Sequence, residues 1–324
     1  MKSFTAAPRN NLLGMICAVL GASCFSFNDM LVKFLSGGYA LHQIMLIRAT
    51  VAVSLLLVAV SIWGGGLSQL RTRRPGMHVL RVLCLLVANT SFFAAIAAMP
   101  IAEATALFFV SPLVIAALSF TVLGERVGPW RWAAVVIGLL GVAVMLRPGM
   151  EAIRPAALLA LLAACGYASL SLVTRRMGGT ETAATMTIYT QTGLLVASAL
   201  MGLAVGHGRF AEGITDASAA FLLRGWVWPA LADWPILFAI GSVSAIGAFL
   251  IAQAYRVAEA GLVAPFEYVA LPMATVWGLV IFAEVPDSIA IAGMCLIASG
   301  GLLLIWRESR NARPPTRPPA GGTG

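Results

Sequence analysis

The sequence predicts an all-α membrane protein of ten transmembrane helices arranged as a 5+5 inverted repeat. Three observations predict it. The 324 residues are 60% hydrophobic and only 10% charged, with mean hydropathy +0.92, whereas roughly a quarter of the residues in a soluble domain are charged. The apolar residues fall in long runs, each near the ~20 residues that a helix needs to cross hydrocarbon. A pattern also occurs twice: Ala102-Glu103-Ala104, Pro112, Glu125, Gly138 and Gly141, then Ala258-Glu259-Ala260, Pro272, Glu284 and Gly300.

In chain order the expected spans are 12–34, 42–63, 78–98, 102–123, 130–146, 155–174, 182–203, 234–254, 260–282 and 289–306. These runs are almost uniformly apolar and rich in Leu and Ala, which fits helices and not the alternating short segments of a barrel. The first run follows Lys2 and Arg9 as a signal peptide would. It is too long for one, carries Asp29 and Lys33, and lacks a small-residue cleavage site, so it reads as a retained helix.

The formal net charge is +8, but the basic residues form short clusters between spans and no aromatic-interleaved stripe, so nucleic acid is not an expected partner. With the N-terminus inside, the inner loops collect Lys2, Arg9, Arg71, Arg73, Arg74, Arg126, Arg131, Arg175, Arg176, Arg256 and the C-terminal arginines. The outside keeps Lys33, Arg147, Arg154, Arg209 and Arg224. This bias places both termini in the cytoplasm, as expected for a multi-pass protein of the cytoplasmic (inner) membrane. Five helices per half then invert the second half relative to the first.

The duplication reaches the front of each half. One offset aligns Cys24 with Cys165, Gly37-Gly38 with Gly178-Gly179, and Arg48 with Tyr189. The second half alone has Pro265, Glu267 and Tyr268 between its Ala-Glu-Ala triplet and its proline. Related halves that rock around a site between them suit a carrier, and such an asymmetry is where a substrate site is expected.

Two stretches, "AEATALFFVSPLVIAALSFTVLGERVGPWRW" and "AEAGLVAPFEYVALPMATVWGLVIFAEVP", resemble the EamA-type domains of the drug/metabolite transporter superfamily. The resemblance covers nearly all of residues 11–306. It implies a first EamA-type repeat over 11–147, a second over 155–306, and a central cavity between them. It implies a secondary carrier for a small organic metabolite: amino acids, vitamins such as riboflavin, nucleoside-like compounds, S-adenosylmethionine, or drugs and cations. Glu267 departs from the usual neutral residue of its helix.

Ionisable groups at bilayer depth are costly and mark candidate sites. Asp29 and Lys33 lie one turn apart on the first helix, and Arg48 reaches a similar depth on the second. They make either a structural ion pair, with Lys33 snorkelling outwards, or an anion contact or outer gate. Glu267 sits between Pro265 and Pro272, so irregular backbone is expected around it. It suits proton coupling or recognition of a cation, or else a hydrogen bond to Tyr189 or Gln191. Asn89 lies mid-way along the third helix, and Ser242 and Ser244 lie in its repeat partner; such groups line a site or simply join helices. Phe92, Phe93, Phe108, Phe109 and Trp277 would line an aromatic-accepting cavity, or face lipid and core. Arg81 and Gln253 are expected to snorkel.

The remaining features carry no chemistry. Five cysteines lie in apolar spans without a Cys-x-x-Cys pair, and the three histidines are scattered, so neither a metal site nor any other cofactor is expected. No phosphate-binding loop is found, and no catalytic residue is assigned. Glu103, Glu125, Glu259 and Glu284 read as caps of the helices that follow them. Gly138, Gly141, Gly300 and Gly301 allow close helix approach, within one subunit or across a homodimer. Residues 204–233, with Trp226 and Trp228, read as a segment lying on the outer face of the lipid. Residues 307–324 read as a disordered basic tail in the cytoplasm that contacts anionic lipid.

Overall fold

Helix starts and stops follow local chemistry. In the computed structural model, residues 11–63, 72, 74–115, 118, 129–146, 154–177, 181, 183–257 and 266–311 are described. Proline, which has no N–H to leave unbonded, opens α3 (Pro75–Ala98), α5 (Pro129–Leu146) and α6 (Pro155–Met177). The other long helices are α1 (Asn11–Leu35), α2 (Leu41–Trp63), α7 (Ala183–Val205) and α9 (Trp234–Val257). Four more follow: α4 (Ile101–Phe108), α8 (Ala217–Leu223), α10 (Ala270–Phe282) and α11 (Ser288–Asn311).

Among the described residues, six helices are long and apolar enough to cross a membrane: Leu12–Leu35, Leu41–Ile62, Pro75–Ala98, Pro155–Thr174, Thr185–Val205 and Leu231–Ile251. Four shorter apolar segments accompany them among the described residues, Ile101–Ile115, which spans α4 and the turn after it, Trp132–Leu146, Ala270–Phe282 and Ser288–Leu303. Large apolar side chains such as Leu20, Val58, Leu83, Leu203 and Val280 are exposed along these helices. An apolar exterior over helices of this length makes the chain an integral membrane protein.

The helices assemble in pairs. α1 lies on α9, α3 on α6, α5 on α11, α2 on α7 and α4 on α10. Small residues permit the approach, because nothing larger than a hydrogen fits between the backbones. A Cβ at Gly166 would lie 2.9 Å from the Ala88 nitrogen, joining α6 to α3, and one at Gly141 would lie 2.9 Å from the Gly293 carbonyl oxygen, joining α5 to α11. Gly300 meets Ala134 and Gly138 in the same way. These glycines are consumed inside the chain, so the homodimer expectation loses the feature that carried it.

Several expectations are corrected here. Residues 204–233 do not merely lie on the surface. They fold back as a strap in which Phe221 of α8 is fully buried, Ser218 donates to the Ala94 carbonyl at 2.8 Å, and Trp226 fills the space left by Gly202 and Gly206. Arg224 donates to the carbonyl of Ser36, and Gln43 exchanges hydrogen bonds with the Val227 backbone. α11 continues to Asn311, beyond the expected end at 306. Glu125, the Ala258-Glu259-Ala260 triplet, Pro265 and residues 312–324 lie outside the described residues.

Candidate functional site

Two helices break beside their prolines, and the breaks meet. Pro112 supplies no N–H to the Phe108 carbonyl, and α4 gives way at Phe109–Val110 before helix resumes at Ser111. Pro272 withholds the same donor from Tyr268; Tyr268 and Val269 form a turn, and Leu271 N–H bonds the Tyr268 carbonyl instead. The irregular backbone expected beside Glu267 is present. Phe109 and Tyr268 stack across the two breaks, ring centroids 4.6 Å apart and 30° from parallel.

From that stack an aromatic run crosses the bundle. Phe109 meets Phe108 at 6.3 Å, and Phe108 meets Tyr167 of α6 at 5.2 Å and Phe92 of α3 at 5.1 Å. Phe92 then touches Phe93 at 5.8 Å. The Arg48 guanidinium lies 5.5 Å from the Phe93 ring centroid, a cation–π contact at the end of the run.

The two ends of the run carry charge. At one end, Arg48, only 6% exposed, donates from Nε to Ser244 Oγ of α9 at 3.0 Å and interacts electrostatically with Asp29. Asn28 Nδ2 donates to Asp29 Oδ1 at 3.2 Å. At the other end, Glu267 is close enough to Tyr167 and Tyr268 to act on both electrostatically. The structure therefore joins Asp29, Arg48, Glu267 and Tyr268 through one set of rings. Asn89 is half-buried one turn before Phe92, Gln191 is buried on α7, and Tyr189 stacks on His78 at 4.3 Å. None of these three is joined to the run by the described contacts.

Buried polar atoms without a protein partner cluster on the same helices. Tyr268 Oη, Trp277 Nε1 and Asn28 Oδ1 are enclosed without a hydrogen bond, and Trp277 rests on Phe27 of α1 at 5.7 Å. Such atoms cost free energy until something satisfies them. A flat π-system bearing donors and acceptors would do so: rings stack on it, and Arg48 or the two carboxylates meet its charged groups.

A tie closes the bundle at the end where α3 passes into α4. Lys33 Nζ donates to Glu284 Oε1 at 2.5 Å and to the Met99 carbonyl at 2.7 Å, above the Phe282 ring. Glu284 Oε2 accepts the Ile101 N–H at 3.0 Å. Two expectations are overturned. Lys33 does not snorkel, because Glu284 and the Met99 carbonyl hold it inside. Glu284 caps α4 from the other half of the chain, while Asp287 caps α11 through the Ala290 N–H. Ala283, the one non-glycine with positive φ among the described residues, at 53°, makes the turn that aims Glu284.

The opposite end has its own polar cluster, which sequence reading missed. Arg81 is 8% exposed and does not snorkel; it donates to Thr174 Oγ1 of α6 at 3.1 Å and to the Met186 carbonyl of α7 at 3.2 Å. Position near a helix end suggested water. Acceptors from two neighbouring helices hold it inside instead.

Residues 12–147 match the model of the EamA-like transporter family. The chain is 29% identical to a riboflavin transporter of Rhizobium johnstonii over 97% of each chain. It is 26% identical to an S-adenosylmethionine uptake transporter of Rickettsia prowazekii, covering 94% of this chain and 96% of that one. A crystal structure at 21% identity superposes with TM-score 0.62 over 92% of this chain and 98% of its own, which shows a shared fold.

Proposed function

We propose that the chain, whose residues 12–147 match the EamA-like transporter family, is a transporter of small metabolites and that its substrate is a planar heteroaromatic metabolite of the riboflavin or S-adenosylmethionine kind. The aromatic run from Tyr268 to Arg48 carries this reading. Stacking recognises the flat part of such a molecule, Arg48 meets an anionic group, and Asp29 or Glu267 meets a cationic one or carries a coupled proton. The names of the two relatives are consistent with this class.

The reading includes a ten-span 5+5 inverted repeat, with the second EamA-type unit over 155–306 and a basic tail after it. The helix pairing supports it. Exchange α1 with α6, α2 with α7, α3 with α9, α4 with α10 and α5 with α11, and the contacts return: α1 on α9 becomes α6 on α3, α2 on α9 becomes α7 on α3, and α1 on α10 becomes α6 on α4. The pairs α2 with α7, α4 with α10 and α5 with α11 map onto themselves.

In this account the protein sits in the cytoplasmic membrane with both termini inside, as the cation bias suggests. The Lys33–Glu284 tie is then the outer gate of an alternating-access cycle, opened and reclosed as the halves rock. Transport of riboflavin and S-adenosylmethionine by the purified chain in proteoliposomes, with trans-stimulation by internal substrate, tests the proposal. Accumulation of neither compound, in vesicles that hold folded protein, would contradict the substrate class.

A further inference from the structure

We propose that His78 and Glu181 form a proton-binding site at the α2–α3 end of the bundle, separate from Asp29 and Glu267, and that its occupancy sets whether that end is closed. The inference rests on the carrier reading for its role and on the following geometry for its existence.

His78 stands one turn into α3 and is 3% exposed. Neither of its ring nitrogens has a hydrogen-bond partner. Nε2 faces Glu181 Oε2 at 3.8 Å, and Glu181, in the link between α6 and α7, is itself 6% exposed. The other oxygen of that carboxylate accepts a hydrogen bond from Thr72 Oγ1 at 2.6 Å. The imidazole stacks on Tyr189 of α7. Arg81, one turn further along α3, is engaged by Thr174 and the Met186 carbonyl. Among the described residues the charged or titratable groups acting on His78 are thus Arg81 from its own helix, Glu181 from the α6–α7 link and Tyr189 from α7.

A buried imidazole with two unsatisfied nitrogens opposite a carboxylate is an arrangement that a proton changes most. Taken from water at this end, the proton makes both ring nitrogens donors and gives the ring a charge opposite to that of Glu181. The 3.8 Å gap is too long for a hydrogen bond and short enough to become one. His78 belongs to the first half of the chain, and Glu181 and Tyr189 belong to the second. Drawing the pair together clamps α3 onto the α6–α7 link; losing the proton to the same water releases it. Protonation therefore favours closure at this end, whereas the opposite end is held by the Lys33–Glu284 tie.

Spin labels at Gly76 and Arg176, both exposed, in a cysteine-free background report the separation of α3 from the end of α6 in the reconstituted full chain. The expected result is a lengthening of roughly 5 Å, the scale of an element slipping one helical turn, as pH rises from about 5 to about 8, where histidine changes charge. H78Q and E181Q should each abolish the pH response, and D29N should retain it. Distances independent of pH in the unsubstituted histidine background, or H78Q and E181Q that follow it, would overturn the proposal. E181Q provides the second reading where H78Q fails to fold. The label needs no substrate, so absence of counterflow of both riboflavin and S-adenosylmethionine with an intact pH response would overturn the substrate reading alone.

Discussion

Phe109 and Tyr268 stack 4.6 Å apart, and each stands where its own helix breaks before a proline. The two breaks are therefore one structural event, in which helix ends from the two halves lean on each other through a pair of rings. An aromatic pair of this kind contributes about 0.5–1.5 kcal/mol beyond its buried area. Phe109→Ala should accordingly weaken substrate affinity by roughly three- to tenfold, read as a rise in the KM for transport with the amount of folded protein unchanged. An unaltered KM would remove the stack from the substrate path.

Tyr268→Phe separates the ring from its hydroxyl. Tyr268 Oη has no protein partner, so its removal should leave thermal stability unchanged or slightly raised. If the substrate satisfies that hydroxyl, affinity falls by about tenfold, the worth of one hydrogen bond in a dry site. Equal stability with equal affinity would mean that the hydroxyl meets no ligand.

The Lys33–Glu284 tie makes a prediction about pairs. Breaking it from one side leaves a partly buried charge, so Lys33→Met or Glu284→Gln alone should lower thermal stability by on the order of 2 kcal/mol, less than for a fully enclosed pair. The double variant should recover part of that loss, because neither charge is then stranded. It should also favour the outward-open state, measured as labelling of a cysteine at Glu103 by an impermeant reagent. Additive losses with no change in labelling would show that the tie is no gate.

Close approach at Gly301 is a matter of space. A Cβ there would overlap the Tyr268 hydroxyl, and one at Gly141 would press on the Gly293 carbonyl and Ile297. Gly141→Val should destabilise the α5–α11 pair by about 1–3 kcal/mol, seen as lost monodisperse protein in detergent. Gly301→Ala should instead move Tyr268 and act on transport, and Tyr268→Phe should partly rescue it.

The strap over the α1–α2 turn carries a pH dependence of its own. The Tyr39 hydroxyl donates to Asp233 and accepts from the Ala230 N–H, and the bond to Asp233 raises the tyrosine pKa above its usual value. A raised pKa means that the fold favours the protonated phenol. Its contribution is fully present below the ordinary tyrosine range near about 10 and is lost as pH rises through the higher folded value. Tryptophan fluorescence from the strap should stay constant to at least about pH 10 and change above it. Tyr39→Phe should remove that alkaline step; a step that persists would assign it to another group.

Most of the architecture was legible in the amino-acid sequence, because hydropathy and proline report on backbone and solvent. Among the described residues the apolar runs lie where helices form, and Pro272 foretells the break beside Glu267, whereas 102–123 read as one span and hid the break before Pro112. The partners were not legible. Lys33 was read as snorkelling outwards, because sequence displays only local neighbours; the structure gives it Glu284, far along the chain. Arg81 was read as snorkelling since it lies near a helix end, and nothing local reveals Thr174 and Met186 waiting beside it. His78 passed as a lone histidine for the same reason. Asp29, Arg48, Glu267 and Tyr268 stood out in the sequence because charge or hydroxyl at bilayer depth is conspicuous by itself. The order in which the phenylalanines connect them required the fold.

The most direct test of the central claim is riboflavin and S-adenosylmethionine counterflow in proteoliposomes, comparing the wild type with Phe109→Ala and Arg48→Met. The account predicts saturable uptake of at least one compound that is accelerated by the same compound inside, weakened by Phe109→Ala and nearly abolished by Arg48→Met. Uptake of neither compound, or uptake indifferent to both substitutions, would contradict a carrier whose substrate travels along this aromatic run.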